Sequence, residues 1–275
     1  MHAQALNTTF ALTMNAQADE IARLLAQMPR ITLDEMKSIR LMKRTDCKFL
    51  TNLPTLLRLL ALTQHDYYVQ EVNGCRISPY TTLYFDTPGQ PAMFRQHQTG
   101  RRPRRKVRVR SYVNAQLSFL EIKTKDNHGK TGKKRIAVPS ADDVVANHTG
   151  EDFLREQTGL TFADLTPAVG NAFDRITLVN RDKTERLTID LHLHFSNYQT
   201  GETADMEQTV IIELKRDGRC PSPILPMLRQ LRIKPAGFSK YCIGACVTNP
   251  HLRLNKFKKR LVKIHKVTQH TLSAS

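Results

Sequence analysis

The stretch KRTDCKFL at residues 43–50 alternates charged and apolar side chains with a period of two. Consecutive side chains of a β-strand point to opposite faces, so Arg44, Asp46 and Lys48 would share one face, and Cys47 and Phe49 the other. The pattern predicts a strand with one ionic and one apolar face. Which of these faces points into the protein decides what the chain folds into.

The same alternation recurs in three later segments that are rich in β-branched or aromatic residues. Their charged faces comprise Lys106, Arg108 and Arg110, then Glu121, Lys123 and Lys125, then Glu213 and Lys215. Their opposite faces comprise Val107 and Val109, Leu120 and Ile122, Ile212 and Leu214. Seven or more such strands, interrupted by short helical stretches, predict a large antiparallel sheet or barrel.

Two arrangements would satisfy this pattern. In a sandwich the ionic faces would be solvated, and for any one strand this is the ordinary case. However, four strands repeat a basic-biased face, and like charges on neighbouring strands destabilise a sheet unless a bound anion neutralises them. We therefore predict an α+β protein whose antiparallel β-barrel forms a tunnel with an ionic lumen, flanked by helices.

The chain divides into three predicted parts. Residues 1–39 are expected to form a partly helical appendage, residues 40–248 the tunnel domain, and residues 249–275 a basic C-terminal helix and tail. The tail places Leu254, Phe257, Leu261 and Ile264 on one helical stripe, which we expect to pack on the barrel. A helix lying on a membrane surface is the alternative for this segment.

Composition restricts the partners and the compartment. The chain has 42 Lys and Arg against 25 Asp and Glu, a formal net charge of +17, which favours anionic partners such as phosphorylated small molecules, polyphosphate, nucleic acid or acidic lipid. An aromatic content of 7% with no Trp disfavours nucleic acid, which binds by base stacking. Five cysteines without CxxC pairs, and no apparent signal peptide or membrane span, predict a cytoplasmic protein.

An ionic lumen has a defined chemistry. Arginine and lysine bind phosphate oxygens more strongly in a water-poor tunnel than on an open surface. The interspersed carboxylates could hold a divalent cation, Mn²⁺ or Mg²⁺, which takes oxygen ligands together with substrate phosphates. The segment GKTGKK at 129–134 lacks the P-loop spacing. His192 and His194, on the predicted face of Asp190, are explained at least as well by a polar strand face as by a metal pair.

Several short motifs occur in a characteristic order between about residues 40 and 245. They are Arg44-x-Asp46-x-Lys48, LYFDT, KVRVR, FLEIKTK, the Lys-rich turn before RIAVP, FDR, IIELK and GFSKY. In this order they resemble the VTC domain, the polyphosphate polymerase branch of the triphosphate tunnel metalloenzymes. The resemblance implies a β-barrel tunnel that binds ATP, another nucleoside triphosphate or inorganic polyphosphate, with a divalent metal.

Residue roles follow from this resemblance. The residues it implies as catalytic phosphate contacts are Lys48, Arg108, Arg110, Lys123, Arg175 and Lys240. The further substrate-binding residues are Lys134 and Ser239 from the resemblance, and Arg44 and Lys215 from strand alternation. The metal ligand is Glu213. Two positions depart from the family pattern: Phe173 stands where Tyr is frequent, and Gly237 where some members have Lys.

The function implied is metal-dependent transfer of the terminal phosphoryl group of ATP to a growing polyphosphate chain. A triphosphatase or short-chain polyphosphatase of the same fold, and a non-catalytic polyphosphate-binding module, are the alternatives. A nucleic-acid-binding module is disfavoured, and a membrane partner protein stays open.

Overall fold

The computed structural model describes residues 16–37, 39, 44–218 and 220–269. Its strands are β1 (Arg30–Ile31), β2 (Arg44–Asn52), β3 (Tyr67–Gln70), β4 (Ser78–Asp86), β5 (Arg104–Tyr112), β6 (Leu117–Lys125), β7 (Thr131–Val138), β8 (Thr166–Asn180), β9 (Glu185–Asn197), β10 (Thr203–Met206) and β11 (Thr209–Asp217). Its helices are α1 (16–26), α2 (Leu33–Lys37), α3 (Leu53–Thr63), α4 (Ala92–Thr99), α5 (Ala141–Asn147), α6 (Glu151–Thr158), α7 (Ile224–Gln230), α8 (Lys240–Thr248) and α9 (Lys258–Gln269).

The strands form one sheet in the order β2, β11, β9, β8, β4, β5, β6, β7, and all neighbours along this path are antiparallel. Strand β10 extends β9, and β3 pairs with β8 and, in parallel, with β1. The mixed α+β class with an antiparallel sheet is confirmed.

The predicted closure into a barrel is not found in the described ranges, because no ladder joins the end strands β7 and β2. The outer edge of β2 has another partner: Pro235 forms a bridge with Phe49, and the Ala236 amide donates to the Lys48 carbonyl at 2.8 Å. This segment satisfies backbone groups of β2 that β7 would otherwise pair with. The sheet is therefore curved around a cavity but open along one side.

The apolar faces of the strands point outward, under helices. On β2, β11, β9 and β8, side chains such as Leu187, Ile189 and Ile212 pack against residues of α1, α3 and α7. On β4 to β7, Val107 and Leu120 pack against α5 and α6 in a second cluster. This burial leaves the charged faces directed inward, as the tunnel interpretation predicts.

Helix α8 closes one end of the curved sheet from the inside. Its residues pack against Val169, Leu193 and Phe195 of β8 and β9, together with Phe257 before α9. Gly244 permits this close approach, because a Cβ there would stand 2.5 Å from the Phe195 ring. The cavity is consequently closed at this end by an apolar plug.

The C-terminal stripe packs as predicted. Phe257 and Ile264 are buried, and Leu254 and Leu261 are partly buried against the same cluster as α8. Within the predicted segment 249–275, the regular helix begins at Lys258, after a short 3-10 turn. None of the helices in the described ranges is long and apolar enough to cross a membrane.

A β-bulge in β9 corrects one prediction. His192 has φ +52°, and the register with β8 shifts between Ala172 and Asp174. The extra residue reverses the alternation, so that Asp190 faces the cavity while His192 and His194 point away from it. These histidines pair instead with Asp174 and Asp205, at 2.9 Å and 2.6 Å.

Candidate functional site

The inner face of the curved sheet encloses a cavity of about 1330 Å³. Among the described residues, its walls come from nine strands, β2 to β9 and β11, and from segment 235–240, which leads into α8. In the described part of the chain, twelve lysines and arginines line it against three carboxylates. The cations are Lys48, Lys106, Arg108, Arg110, Lys123, Lys133, Arg135, Arg175, Arg186, Lys215, Lys240 and Arg260; the carboxylates are Asp46, Asp190 and Glu213.

Nine of the eleven residues singled out from the sequence line this cavity. They are Lys48, Arg108, Arg110, Lys123, Arg175, Lys215, Lys240, Ser239 and Glu213. Arg44 begins β2 opposite Asp217, and its side chain lies outside the described residues. Lys134 does not line the cavity, because it stands opposite Ile122 on the outer face of β7 and β6. Its neighbour Lys133 occupies the inner face instead, one position earlier in the alternation.

Asp190 holds two of the cations together. Nε and a terminal nitrogen of Arg175 donate to its two oxygens at 2.6 Å and 2.9 Å, and Lys240 donates to the carboxylate as well. Burial alone would raise the pKa of Asp190, but these two cations hold it below its usual range. Burial lowers the pKa of Lys240 to about 8, although Asp190 partly opposes this. These two ion pairs with Asp190 hold Arg175 and Lys240 at the cavity wall.

Glu121, on β6, likewise holds two cations together. Arg108 donates to it through two nitrogens at 2.8 Å and 2.6 Å, and Lys133 forms a further ion pair. Burial would raise the pKa of Glu121, but these cations lower it to about 2. Both buried carboxylates are therefore ionised at neutral pH, and each already neutralises part of two cations.

Arg110 lies between these two clusters without an ion pair in the described structure. It is 7% exposed, and its Nε donates to the Thr82 hydroxyl at 3.1 Å. Its guanidinium carbon lies 5.6 Å from the centre of the Phe173 ring. Burial, followed by repulsion from Arg108 and Arg175, lowers the pKa of Arg110 to about 10. A buried cation in this position is stabilised by a bound anion.

Tyr84 is buried beside these arginines and lines the cavity. A terminal nitrogen of Arg108 donates to its hydroxyl oxygen at 3.3 Å. Burial would raise the pKa of Tyr84, but Arg108, Arg110 and other cations outweigh it and lower the pKa to about 8. The positive field of the cavity therefore stabilises the phenolate form of Tyr84 relative to a phenol in water.

The N-terminus of α8 also points into the cavity. Ser239 caps this helix by accepting a hydrogen bond from the Cys242 amide at 3.2 Å, and Lys106 donates to the same hydroxyl at 2.8 Å. Lys48 donates to the Phe238 carbonyl at 3.1 Å. The positive end of a helix dipole thus adds to the lysines, which favours an anion at this wall.

Glu213 is the carboxylate of the cavity that the sequence predicts as a metal ligand. It faces Lys215 at 3.1 Å and Lys48 at 4.0 Å, its side chain is 24% exposed, and these lysines outweigh burial to lower its pKa to about 2. The described residues contain no group of three or more His, Cys, Asp or Glu able to enclose a metal. One ionised carboxylate fits Mg²⁺ or Mn²⁺ when phosphate oxygens supply other ligands.

Sequence reasoning left several cavity residues without a role. Lys106 shares the charged face of β5 with Arg108 and Arg110, so the alternation already indicated it. Lys133 could have been found by placing β7 in register with β6. Asp190 was placed beside the histidines of β9, since the bulge after it cannot be recognised from the alternation alone.

The chain belongs to the VTC domain family, whose sequence profile matches residues 43–249. The recognition made from the ordered motifs is confirmed. The curved sheet around a cationic cavity is consistent with the tunnel-like fold expected of this family. No curated protein sequence matches the chain.

Two solved structures are similar at low sequence identity. A candidate adenylyl cyclase from Hippeastrum with a dominant triphosphatase activity shares 16% identity, with 75% of this chain and 97% of that chain covered and a TM-score of 0.48. A candidate adenylate cyclase from Bacillus halodurans also shares 16% identity, with 72% and 96% covered and a TM-score of 0.46.

Proposed function

We propose that the cavity binds the triphosphate of ATP and the end of a polyphosphate chain, and that it transfers the terminal phosphoryl group of ATP to that chain. The observation that supports this most directly is Arg110, a buried guanidinium facing the cavity with a neutral hydroxyl partner. A phosphate oxygen would supply the missing charge. The excess of cations around it extends this argument to several phosphates in a row.

In the proposed step, an oxygen of the chain's terminal phosphate forms a bond to the γ-phosphorus. The bond from that phosphorus to the β,γ-bridging oxygen breaks, and ADP leaves with the electron pair. No protein nucleophile is needed, because this reaction is accelerated by alignment of the two phosphates and by neutralisation of their charge. In this proposal Arg108 and Arg175, which form ion pairs with Glu121 and Asp190, contribute to both.

The proposal includes Glu213 as a ligand of Mn²⁺ or Mg²⁺. Such an ion neutralises charge on phosphate oxygens when it is bound. Replacing Glu213 by Gln keeps the size of the side chain and removes its charge. We expect this variant to bind metal-free tripolyphosphate at least as tightly as the wild type, while the enhancement of binding by Mn²⁺ is lost. Calorimetric titrations with and without Mn²⁺ test this, and an undiminished Mn²⁺ effect would remove Glu213 from the metal site.

The reaction itself is tested by incubating the protein with ATP and Mn²⁺ or Mg²⁺. Gel electrophoresis should show a ladder of polyphosphate chains, with ADP as the second product. Release of orthophosphate without a ladder would show that water replaces the chain as acceptor, and the protein would then be a triphosphatase. Binding without turnover under either metal would leave a polyphosphate-binding module.

A further inference from the structure

A second pocket lies on the outside of the molecule, beside the end that α8 and α9 close. Its volume is about 750 Å³, and it is lined by α4 and the segment that leads into β5. Its charged lining residues are Arg95, Arg101, Arg102 and Arg105, and no carboxylate lines it in the described part of the chain. We call this the arginine pocket.

The turn after α4 brings a fifth cation to the pocket. Gly100 ends the helix with φ +79°, a conformation that side chains disfavour, and a Cβ there would lie 2.7 Å from the Lys256 ammonium. Lys256 donates to the Thr99 carbonyl at 2.7 Å. Glycine at this position therefore leaves space for a lysine at the pocket's edge.

The partners of these cations are neutral. Arg95 donates to the Gln90 side-chain oxygen at 2.8 Å, Arg102 to the Asn127 carbonyl at 3.3 Å and Arg105 to the Thr158 carbonyl at 2.5 Å. The Arg101 guanidinium has no partner among the residues that the structure describes. Five neighbouring cations without an anion repel one another, so this arrangement is stabilised when an anion binds.

Two segments that form the pocket and the surface next to it carry only basic charges. Segments 87–106 and 249–269 contain no Asp or Glu. They are in direct contact, because Gln98 donates to the Arg253 carbonyl and the rings of Phe94 and Phe257 lie 5.6 Å apart. Two sequence segments that lack acidic residues thus form one basic surface.

This surface reaches the cavity through the start of α9. Arg260 follows Lys256 by one helical turn and lines the cavity, where its guanidinium stands 3.7 Å from the position of a Cβ at Gly237. Lys256 and Arg260 are therefore cations that lie between the arginine pocket and the cavity. A flexible polyanion longer than the cavity could contact both.

We propose that the arginine pocket is a second phosphate site, which binds a distal part of a polyphosphate chain whose end occupies the cavity. The proposal rests on the proposed function. Guanidinium groups match phosphate oxygens in geometry and stay charged at all relevant pH values. A concave pocket suits a chain better than a flat membrane, and it has no aromatic side chain on which a nucleic acid base would stack.

The test compares a short and a long ligand on a double variant, Arg101→Ala with Arg102→Ala. Both side chains are exposed, so the variant should fold. Tripolyphosphate, which fits within the cavity, should bind within about two-fold of the wild type. Long-chain polyphosphate should bind about ten-fold or more weakly, because the second contact and its avidity are lost.

A matched control replaces Arg58 and Arg229, two exposed arginines on α3 and α7, by alanine. This variant has the same net charge and should bind both ligands as the wild type does. Equal long-chain affinity in the two double variants would overturn the proposal, because only net charge would then matter. So would loss of binding to phosphatidylserine vesicles with long-chain affinity retained, which would make the pocket a membrane contact.

The outcome also separates this site from the cavity. If tripolyphosphate binds neither the wild type nor the variants, the proposed function fails on its own. Long-chain binding that still depends on Arg101 and Arg102 would then support the pocket as an independent polyphosphate site. Long-chain binding that depends on Arg110 and not on Arg101 and Arg102 would support the cavity and reject the pocket.

Discussion

Two buried carboxylates organise the cavity at the level of single residues. Asp190 binds Arg175 and Lys240, and Glu121 binds Arg108 and Lys133. Each carboxylate offsets the charge of two cations only in part, so it orients them while leaving the wall positive. The carboxylates therefore act as positioning groups for cations that face the ligand.

Arg110 should matter for binding more than for folding. We expect Arg110→Ala to weaken tripolyphosphate binding by ~1.5–3 kcal/mol, because one charge-assisted contact is lost. Stability without ligand should hold or rise, since a buried cation without an ion pair is removed. Calorimetry and denaturant unfolding measure the two effects. Arg58→Ala, an exposed arginine of α3, should change neither, and unchanged affinity in Arg110→Ala would place that side chain outside the binding site.

Alkaline pH should weaken binding. Lys240 and Tyr84 both have pKa values of about 8, so raising the pH from about 7.5 to about 9.5 removes a positive charge and adds a negative one. Both changes disfavour an anion. Metal-free ATP is a suitable ligand, since its phosphates are already ionised at the lower pH. Its affinity should fall over this interval, and Tyr84→Phe should show a smaller fall. An affinity that does not change with pH would contradict the assignment of both groups to the site.

At the level of elements, the strands decide the fold by the opposite chemistry of their two faces. Helices α1, α3, α5, α6 and α7 bury the apolar faces, which leaves the ionic faces around the cavity. The bulge at His192 interrupts the alternation of β9, and it turns Leu193 and Phe195 inward to meet α8. An ionic wall and an apolar plug are thus built from the same strand.

The C-terminal helix should contribute to stability through its stripe. Phe257 is 2% exposed and packs on Phe94, so Phe257→Ala should lower the free energy of unfolding by about 3–5 kcal/mol. Val262, 47% exposed on α9, which follows Phe257 directly, is the control, and Val262→Ala should change stability by no more than about 0.5 kcal/mol. Denaturant unfolding measures both. Equal, small effects would favour the alternative of a helix that lies on a membrane surface.

For the whole molecule, the net charge of +17 and a cavity lined mainly by lysines and arginines imply strong repulsion between like charges. We expect salt, raised from about 10 mM to about 1 M potassium chloride, to increase the melting temperature of the ligand-free protein by screening this repulsion. The same salt should reduce the increase in melting temperature that tripolyphosphate produces. Thermal melts with and without the ligand test this, and Arg110→Ala should show a smaller salt effect. A ligand-free melting temperature that falls with salt would contradict the argument.

The α+β class, the alternation of the strands, the family and nine of the eleven predicted site residues could all be inferred from the sequence. These features are local, because alternation with period two assigns each side chain to one face of its strand. An apolar face is then expected to pack against other apolar residues. The packing of the C-terminal stripe follows from the same kind of periodicity. The domain boundaries and the roles of the individual site residues stay predictions.

The other features depend on contacts between segments that are distant in the sequence. The inward direction of the ionic faces depends on which side the helices cover, and the open side of the sheet depends on segment 235–236 pairing with β2. The register of β7 against β6 decides that Lys133 and not Lys134 faces the cavity. The bulge in β9 turns His192 and His194 away from the face that carries Asp190. Alternation fixes a face only relative to its neighbours in sequence, whereas register, edges and cover are set by contacts between segments far apart in the chain.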